Sequence, residues 1–333
     1  MINMIKIRNM IKPQKTLVMI IGHENPHYLI DTYESIKHYN KSNNYEIVFA
    51  IDFNKDTAHS LSNQYGRNRV FVTETKNGWG RGILRTIIHA LDYFNQKIDY
   101  CDLITIDSDA LCVGPFINRM LLEIDSTDVF FAGAIWRSPK KDHGFHYKLR
   151  DSGFMRDYPF NFKPEMAAGP CMMWTSHCFK FLKLIGLMPA VEFDKKYPVI
   201  HFAHDQLSTW LNSCGVCTIK NVGSIMEIKW RESLPIKNVF PWGPVPAINN
   251  NNIGIIHPTK SNKYTEDKCR EFFKFQRNGQ PFPLPPVVTP VTPVTPAVTP
   301  VTPKLPTPVI VSKKELEEQW KDYFRRNNLN FNL

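Results

Sequence analysis

Asp107 and Asp109, separated by one serine, stand where the apolar run Leu103-Ile-Thr-Ile106 runs out. A short run of this kind, rich in β-branched residues, reads as a buried strand. In an open α/β sheet, ligands collect beyond the carboxyl ends of the strands. Carboxylate oxygens there suit a hard divalent cation, which in turn neutralises a diphosphate. Acidic tripeptides of this form are also common on solvated turns, so the pattern gains weight only from matching parts elsewhere.

The elements that would position this pair can be read in order. Thr16 to Gly22 is a first strand, followed by the polar turn His23-Glu24-Asn25-Pro26. Tyr28 to Tyr39 spaces Leu29, Tyr33 and Ile36 along one helical face. Tyr45 to Ile51 is a second strand that again ends in a carboxylate, Asp52, and Arg69 to Thr73 is a third. Asn77-Gly-Trp-Gly-Arg81-Gly82 leads into a helix from Ile83 to Phe94, and Leu103 to Ile106 is the fourth strand. Strand, helix, strand, strand, helix, strand implies an α/β fold with a Rossmann-like, mostly parallel central sheet flanked by helices. Further on, Val129 to Ala134 is a strand and 136–165 a polar, aromatic-rich loop region. Met166 to Trp174 sets Gly169 before a strand-like run, Cys178 to Ile185 is a helix, and Asp205 lies in the first turn of another. Ile253 to Lys260 is a short strand ending in His257. His23 and Glu24 occupy the first strand's end, where nucleotide contacts are expected, and Trp79 and Trp174 offer faces for sugars or for the core.

Composition narrows the classes. The chain has 333 residues, 43% of them hydrophobic, enough to bury a sizeable core. Its net charge of +10, from 41 basic and 31 acidic residues, suits phosphorylated ligands, nucleic acid or an anionic surface. No block of like charges forms a nucleic-acid tail, and no apolar segment approaches membrane-spanning length. The seven cysteines are scattered, and Cys214-x-x-Cys217 lacks a second pair at zinc-site spacing, so they read as core thiols of a reducing compartment. These features place the chain in the cytoplasm.

Taken together and in order, these motifs over residues 15–275 resemble the nucleotide-sugar-dependent glycosyltransferases of GT-A fold. Asp107-Ser-Asp109 looks like their metal-binding D-x-D, and Ala168-Gly169 with Met172 to Trp174 like their glycine-containing acceptor loop. His204-Asp205 is similar to their x-E-D position, with His in place of the usual acidic residue. The resemblance implies that His257 completes the metal shell and that Asp52 contacts the nucleobase. It also implies that Arg85 contacts the diphosphate, although Leu84 and Thr86 replace the usual flanking Ala and Asn. Such a transferase needs Mn²⁺ or Mg²⁺ as a Lewis acid on the departing diphosphate, and an imidazole ligand at His257 favours Mn²⁺. Asp109 is the preferred direct ligand, Asp107 reaches ribose or metal, and Lys260 can pair with a phosphate. Asp205 is the candidate catalytic base for an acceptor hydroxyl, with helix capping as the ordinary alternative. If configuration is retained, Asp205 would instead bind acceptor or sugar.

The expected organisation is a glycosyltransferase domain over 15–280, a Pro/Thr-rich linker over 281–311 and an amphipathic helix over 312–333. Eleven of the 25 prolines lie between Pro281 and Pro308, among five Val-Thr-Pro triplets, and such density favours extended polyproline II. Ser312-Lys-Lys-Glu315 is a capping-box pattern, and Leu316, Trp320, Tyr323 and Phe324 share a face that would dock on a protein partner or back on the domain. A UDP-sugar is the favoured donor. The acceptor is a glycan, a protein or hydroxymethylated DNA, the last requiring a flipped-out base. A nucleotidyltransferase and a non-catalytic nucleotide- or glycan-binding adaptor are the other classes. The former is disfavoured because His23-Glu24-Asn25-Pro26 is not a glycine-rich basic loop.

Overall fold

The computed structural model describes residues 15–280, apart from 24, 43, 79–81, 99, 125–127, 138–162, 164, 197–203, 229–235, 240–242, 247–251, 258 and 260–264, together with Glu318. Glu24, Trp79, Arg81, Lys260, most of the 136–165 region, the linker and all of the C-terminal helix but Glu318 therefore lie outside the described residues.

The chain opens with β1 (Lys15–Gly22), α1 (Pro26–Tyr39) and β2 (Tyr45–Ile51), then α2 (Lys55–Tyr65) and β3 (Val70–Val72). The helix α3 (Ile83–Asn95), β4 (Tyr100–Asp107), the two-residue β5 (Leu111–Cys112), α4 (Ile117–Glu123) and β6 (Val129–Arg137) follow. The second half holds β7 (Glu165–Trp174), α5 (Ser176–Leu184), α6 (Ala190–Lys196), α7 (His204–Ser213), β8 (Thr218–Asn221) and β9 (Met226–Ile228). A hairpin, β10 (Ile236–Val239) and β11 (Gly243–Pro246), precedes β12 (Ile255–His257) and α8 (Glu266–Arg277).

The seven-stranded sheet runs β3-β2-β1-β4-β7-β6-β8. Neighbours are parallel except that β7 runs opposite to β4 and β6. The expected mostly parallel α/β sheet is therefore present. Successive side chains of a strand point to opposite faces, and both faces are apolar. Leu17, Met19 and Ile21 pack with α3, α5 and α7 on one face; Val18 and Ile20 pack with α1, α2 and α4 on the other. A parallel sheet covered on both faces explains why β1 and β2 read as continuous apolar runs. The stripe of α3 buries Leu84, Ile87, Ile88, Leu91 and Phe94 completely.

Four helices were not apparent in the pattern, the short α4 and α6 together with α2 and α8. In α2 only Thr57, Ala58 and Leu61 are buried, too few for a visible stripe, although Asn54 caps it by accepting from the Thr57 N–H at 3.0 Å. In α8 the mean composition is polar, and the helix is marked by its ends instead: a Thr265 cap, Glu266 and Asp267 in the first turn, Lys274 and Arg277 in the last. Trp174 is corrected to a core residue. It is fully buried, sits edge-on to Phe131 at 5.4 Å, and pairs across the sheet with Leu103, far down β4 from Asp107. All seven cysteines are free thiols and six are buried, Cys214 and Cys217 included. Among the described residues no helix is long and apolar enough to cross a membrane.

Candidate active site

Strand β4 ends on Asp107, and the chain turns at once, the Ala110 N–H donating to the Asp107 carbonyl at 3.0 Å. Two residues of β5 then pair antiparallel with β12, Leu111 opposite Ile256. This short second sheet brings His257 to the D-x-D turn across 148 residues of chain, its Nε2 lying 3.1 Å from Asp109 Oδ2. Thr259 fixes the turn from the same side, donating from its N–H (3.0 Å) and hydroxyl (2.7 Å) to the Asp109 carbonyl. Asp107 is 8% exposed. The Oδ1 atoms of Asp107 and Asp109 are both buried and accept no hydrogen bond among the described residues.

The two carboxylates differ electrostatically. Burial, then the charges of Asp109 and Asp205, push Asp107 well above the usual carboxylate range. Burial also opposes ionisation of Asp109, but the hydrogen bond and charge of His257, with Arg270 beyond, outweigh it and hold Asp109 low. Neighbouring acids whose pKa values are driven apart are characteristic of sites built to meet a charge. Among the described residues no three His, Cys, Asp or Glu side chains are grouped to hold a metal ion, and His257 faces Asp109 rather than a shared centre. The groups of a kind that suits a hard cation are the two buried carboxylate oxygens without a hydrogen bond, with His257 holding Asp109 in place.

Gly169 and Asp205 meet at the same edge. Along β7 the pairing with β6 goes from Gly133 opposite Met172 to Ile135 opposite Ala167, so residues 168–171 bulge against the single Ala134. Bulges of this kind re-aim the chain beside active sites. The expected acceptor loop is thus a bulge within a strand. Its Gly169 carbonyl accepts from His204 Nε2 at 2.8 Å. Since a carbonyl only accepts, the imidazole proton sits on Nε2, and the buried Nδ1 is a bare acceptor with no partner among the described residues. Burial lowers the His204 pKa to about 4, the Gly169 bond opposing weakly. A Cβ on Gly169 would lie 3.1 Å from His204 Cε1 and 3.5 Å from Asp205 Cβ, so any side chain here would press on the imidazole at the helix start. Asp205 is 6% exposed, its Oδ1 takes the Gln206 N–H at 2.8 Å, and burial pushes its pKa up to about 6.

The edge formed by β1, β2 and β3 is differently furnished. Asp52 Oδ1 accepts from the Thr73 hydroxyl (3.1 Å) and the Asn77 N–H (2.9 Å), while Oδ2 accepts from the Gly78 N–H (2.9 Å). With three bonds to its own chain, its carboxylate organises the 77–82 loop. Gly78 takes φ +87°, and a Cβ on Gly82 would lie 2.0 Å from the Asn77 carbonyl oxygen, so glycine is required at both positions. Asn77 also donates to Thr86 at 3.0 Å, tying the loop to α3. Arg85 is directed to Asp194 of α6 (3.2 Å), which His89 shares at 2.9 Å. The His23 carbonyl receives the Asn54 amide at 2.9 Å. Beside Asp52, Phe53 is 45% exposed in a left-handed conformation, φ +60°, which a bulky residue rarely adopts.

Sequence reasoning missed Arg270. Buried in α8, it donates from Nη2 to the carbonyls of Ser108 (2.5 Å) and Ala110 (3.4 Å), one on each side of Asp109. Nη1 reaches Asp31 (3.1 Å) and Thr32 (3.2 Å) of α1, and Nε reaches Glu266 (2.9 Å). An arginine four residues after a glutamate in a polar helix looks like a surface pair; only the tertiary fold turns it inward.

Residues 16–181 match the family model "Glycosyl transferase family 2", a span that holds Asp52, the D-x-D turn and the β7 bulge. No curated protein matches the chain in sequence. Among solved structures, it is similar to the galactosyltransferase LgtC in complex with donor and acceptor sugar analogs: 12% identity, 80% of this chain and 96% of that one, TM-score 0.42. It is similar to mouse xyloside xylosyltransferase 1, with 14% identity, 65% and 88% coverage and TM-score 0.38. It is also similar to the mannosyltransferase PcManGT of Pyrobaculum calidifontis, solved with GDP-Man and Mn²⁺, with 10% identity, 81% and 63% coverage and TM-score 0.38. With its family match and its helix-flanked, mostly parallel sheet, the chain belongs to the nucleotide-sugar-dependent glycosyltransferases of GT-A fold.

Proposed function

We propose that the protein is a divalent-metal-dependent transferase that moves a sugar from a UDP-sugar to a hydroxyl acceptor. The observation that carries this reading is the meeting of Asp107, Asp109, Asp205 and Gly169 at one sheet edge, with buried carboxylate oxygens that accept no hydrogen bond among the described residues. Asp109 and Asp107 would hold Mn²⁺ or Mg²⁺, and His257 would orient Asp109. When bound, the ion supplies positive charge to the departing diphosphate.

The remaining roles belong to the chain's own groups. Asp205, raised to about 6, is poised as the base that takes the acceptor's hydroxyl proton near neutral pH. Neutral His204 holds the Gly169 bulge against it, and the β7 bulge shapes the acceptor's approach. The Asp52-anchored loop lines the donor side, with His23 at the end of β1, and Phe53 offers an aromatic face to the nucleobase at a strained backbone position. By sequence position, Arg85 and Lys260 are assigned to the diphosphate. The Pro/Thr linker and C-terminal helix are a tether and a docking element for a protein partner.

The test is nucleoside diphosphate release from a panel of UDP-, GDP- and other nucleotide sugars with Mn²⁺, Mg²⁺ or EDTA. Metal-dependent release from one donor, lost in Asp109→Ala, is expected; glycans and hydroxymethylated DNA are then offered as acceptors. No release and no metal-dependent nucleotide binding by the unsubstituted chain overturns the reading.

A further inference from the structure

Every main-chain carbonyl of the D-x-D turn is engaged, and the partners come from separate parts of the fold. The Asp107 carbonyl takes the Ala110 N–H, and the Asp109 carbonyl takes both donors of Thr259. The Ser108 carbonyl takes Arg270, and the Ala110 carbonyl takes the Thr32 hydroxyl at 3.0 Å together with Arg270. Among the described residues Arg270 alone reaches both sides of Asp109. Its guanidinium is held in turn by Asp31 and Glu266 and lies over the Tyr28 ring, 4.8 Å from the centroid. Arg277, two helical turns further on, ties the same Asp31 at 2.9 Å.

A rigid planar fork is the side chain that can bridge two carbonyls and an acid at fixed angles; an ammonium on a flexible stem is not. Placing a buried cation here has a second consequence. Asp107 and Asp109 repel one another, and the turn that carries them would open if its backbone were free. The clamp holds both carboxylates at the sheet edge before any ligand arrives, and loss of a group that positions a metal ligand typically costs about 10- to 100-fold in metal affinity.

We propose that Arg270 is a positioning residue for the D-x-D turn, fixing from α8 the main chain on both sides of Asp109 so that the two carboxylates present their inward oxygens together. This rests on the metal-site reading given above. It also means that the last described helix before the Pro/Thr segment is mechanically part of the catalytic edge.

The experiment compares Arg270→Lys with Glu266→Gln in the full chain. The first keeps the charge but loses the fork; the second removes a helix-side partner without touching the turn. Mn²⁺ binding in the presence of UDP is read by the loss of the free-ion paramagnetic resonance signal. Amide exchange is followed over residues 108–111 without metal. Arg270→Lys is expected to weaken Mn²⁺ binding about 10- to 100-fold and to speed exchange at the turn, whereas Glu266→Gln, which loosens one anchor of the guanidinium but keeps the fork, shifts both readouts in the same direction by less. Should Arg270→Lys not fold, Asp31→Asn, which loosens the shared anchor of Arg270 and Arg277 without touching the turn, is expected to shift both readouts in the same direction by less. Wild-type Mn²⁺ binding and exchange in the folded variants overturn this inference alone. Absence of Mn²⁺–UDP binding in the unsubstituted chain overturns the reading of the site, and this inference with it.

Discussion

The two ends of the ligand-facing edge treat their buried polar groups in opposite ways. At the β1–β3 end, Asp52 is satisfied by its own chain, with one hydroxyl and two backbone N–H donors on its carboxylate. At the β4–β7–α7 end, Asp107, Asp109 and His204 each keep a buried acceptor that nothing described in the fold satisfies. Native proteins pair nearly all such groups, because an unmet buried acceptor costs on the order of 1–3 kcal/mol. The first end is a finished scaffold, and the second, on the function proposed above, is the site that a ligand would complete. Substitutions should therefore separate them: at the scaffold end stability falls first, and at the site end activity falls while stability holds or rises.

Asp205→Asn gives the largest separation. If Asp205 is the acceptor base proposed above, its removal is expected to lower turnover by about 100- to 10,000-fold. Stability should move the other way. Burial raises the Asp205 pKa to about 6 from its ordinary 3.8, so between those values the folded chain binds more protons than the unfolded one. The folded state is then penalised increasingly as pH rises through that window, and fully above it. The amide variant escapes the penalty, gaining up to about 3 kcal/mol above pH 6 and nothing below pH 4. Neutral His204 has the opposite slope. Its pKa is lowered to about 4, so it adds stability as pH rises from about 4 to 6.5, and the variant should expose that slope. Urea unfolding at several pH values reads all of this, and an equal loss of stability at acid and neutral pH would show Asp205 to be a plain helix cap.

Asp52→Asn is the matched test of the scaffold end. The amide keeps one acceptor but turns a donor toward an N–H, so about 1.5–3 kcal/mol of stability should be lost, as for hydrogen bonds to a charged group. Faster amide exchange at Asn77 and Gly78 should accompany the loss, with donor KM raised and kcat nearly kept. A variant that kept its stability and lost nucleotide binding outright would instead return Asp52 to direct contact with the base.

The same contrast explains what could be read from the sequence. Strands β1, β2 and β4 were legible because both sheet faces are covered, which forces continuous apolar runs, and each run ends at the ligand edge. Asp107, Asp109 and Asp205 were legible because carboxylates at strand and helix ends are where chemistry gathers. The helix α2 was hidden, since its burial rests on Ala58 and Leu61 with little else. Arg270 was hidden for a different reason: its partners are 160 and 239 residues away, and local spacing offered only Glu266. Trp174 misled because aromatic residues serve cores and sugar sites alike, and only its register opposite Leu103 decides. His257 was legible as a strand-end imidazole, but its meeting with Asp109 depends on the two-residue β5, a strand too short to announce itself.

The smallest effect should come from Gly169→Ala, set against Gly133→Ala on the facing strand. At Gly133 an added Cβ meets Ala167 Cβ at 3.3 Å and the Cys171 carbonyl at 3.4 Å, contacts within the sheet alone. At Gly169 it meets His204 Cε1 at 3.1 Å and Nε2 at 3.2 Å, so the imidazole must give by a few tenths of an ångström. Each methyl overpacks a tight spot, and each should cost about 1 kcal/mol of stability. Their kinetic effects should differ. His204 shares a helix start with Asp205, so a displaced imidazole shifts the base relative to the acceptor, and misplacement of that kind lowers kcat with little change in donor KM. Gly133→Ala should leave kcat near wild type. Equal losses of kcat in both would make the bulge a matter of strand packing; a loss confined to Gly169→Ala ties the carbonyl held by His204 to the step at Asp205.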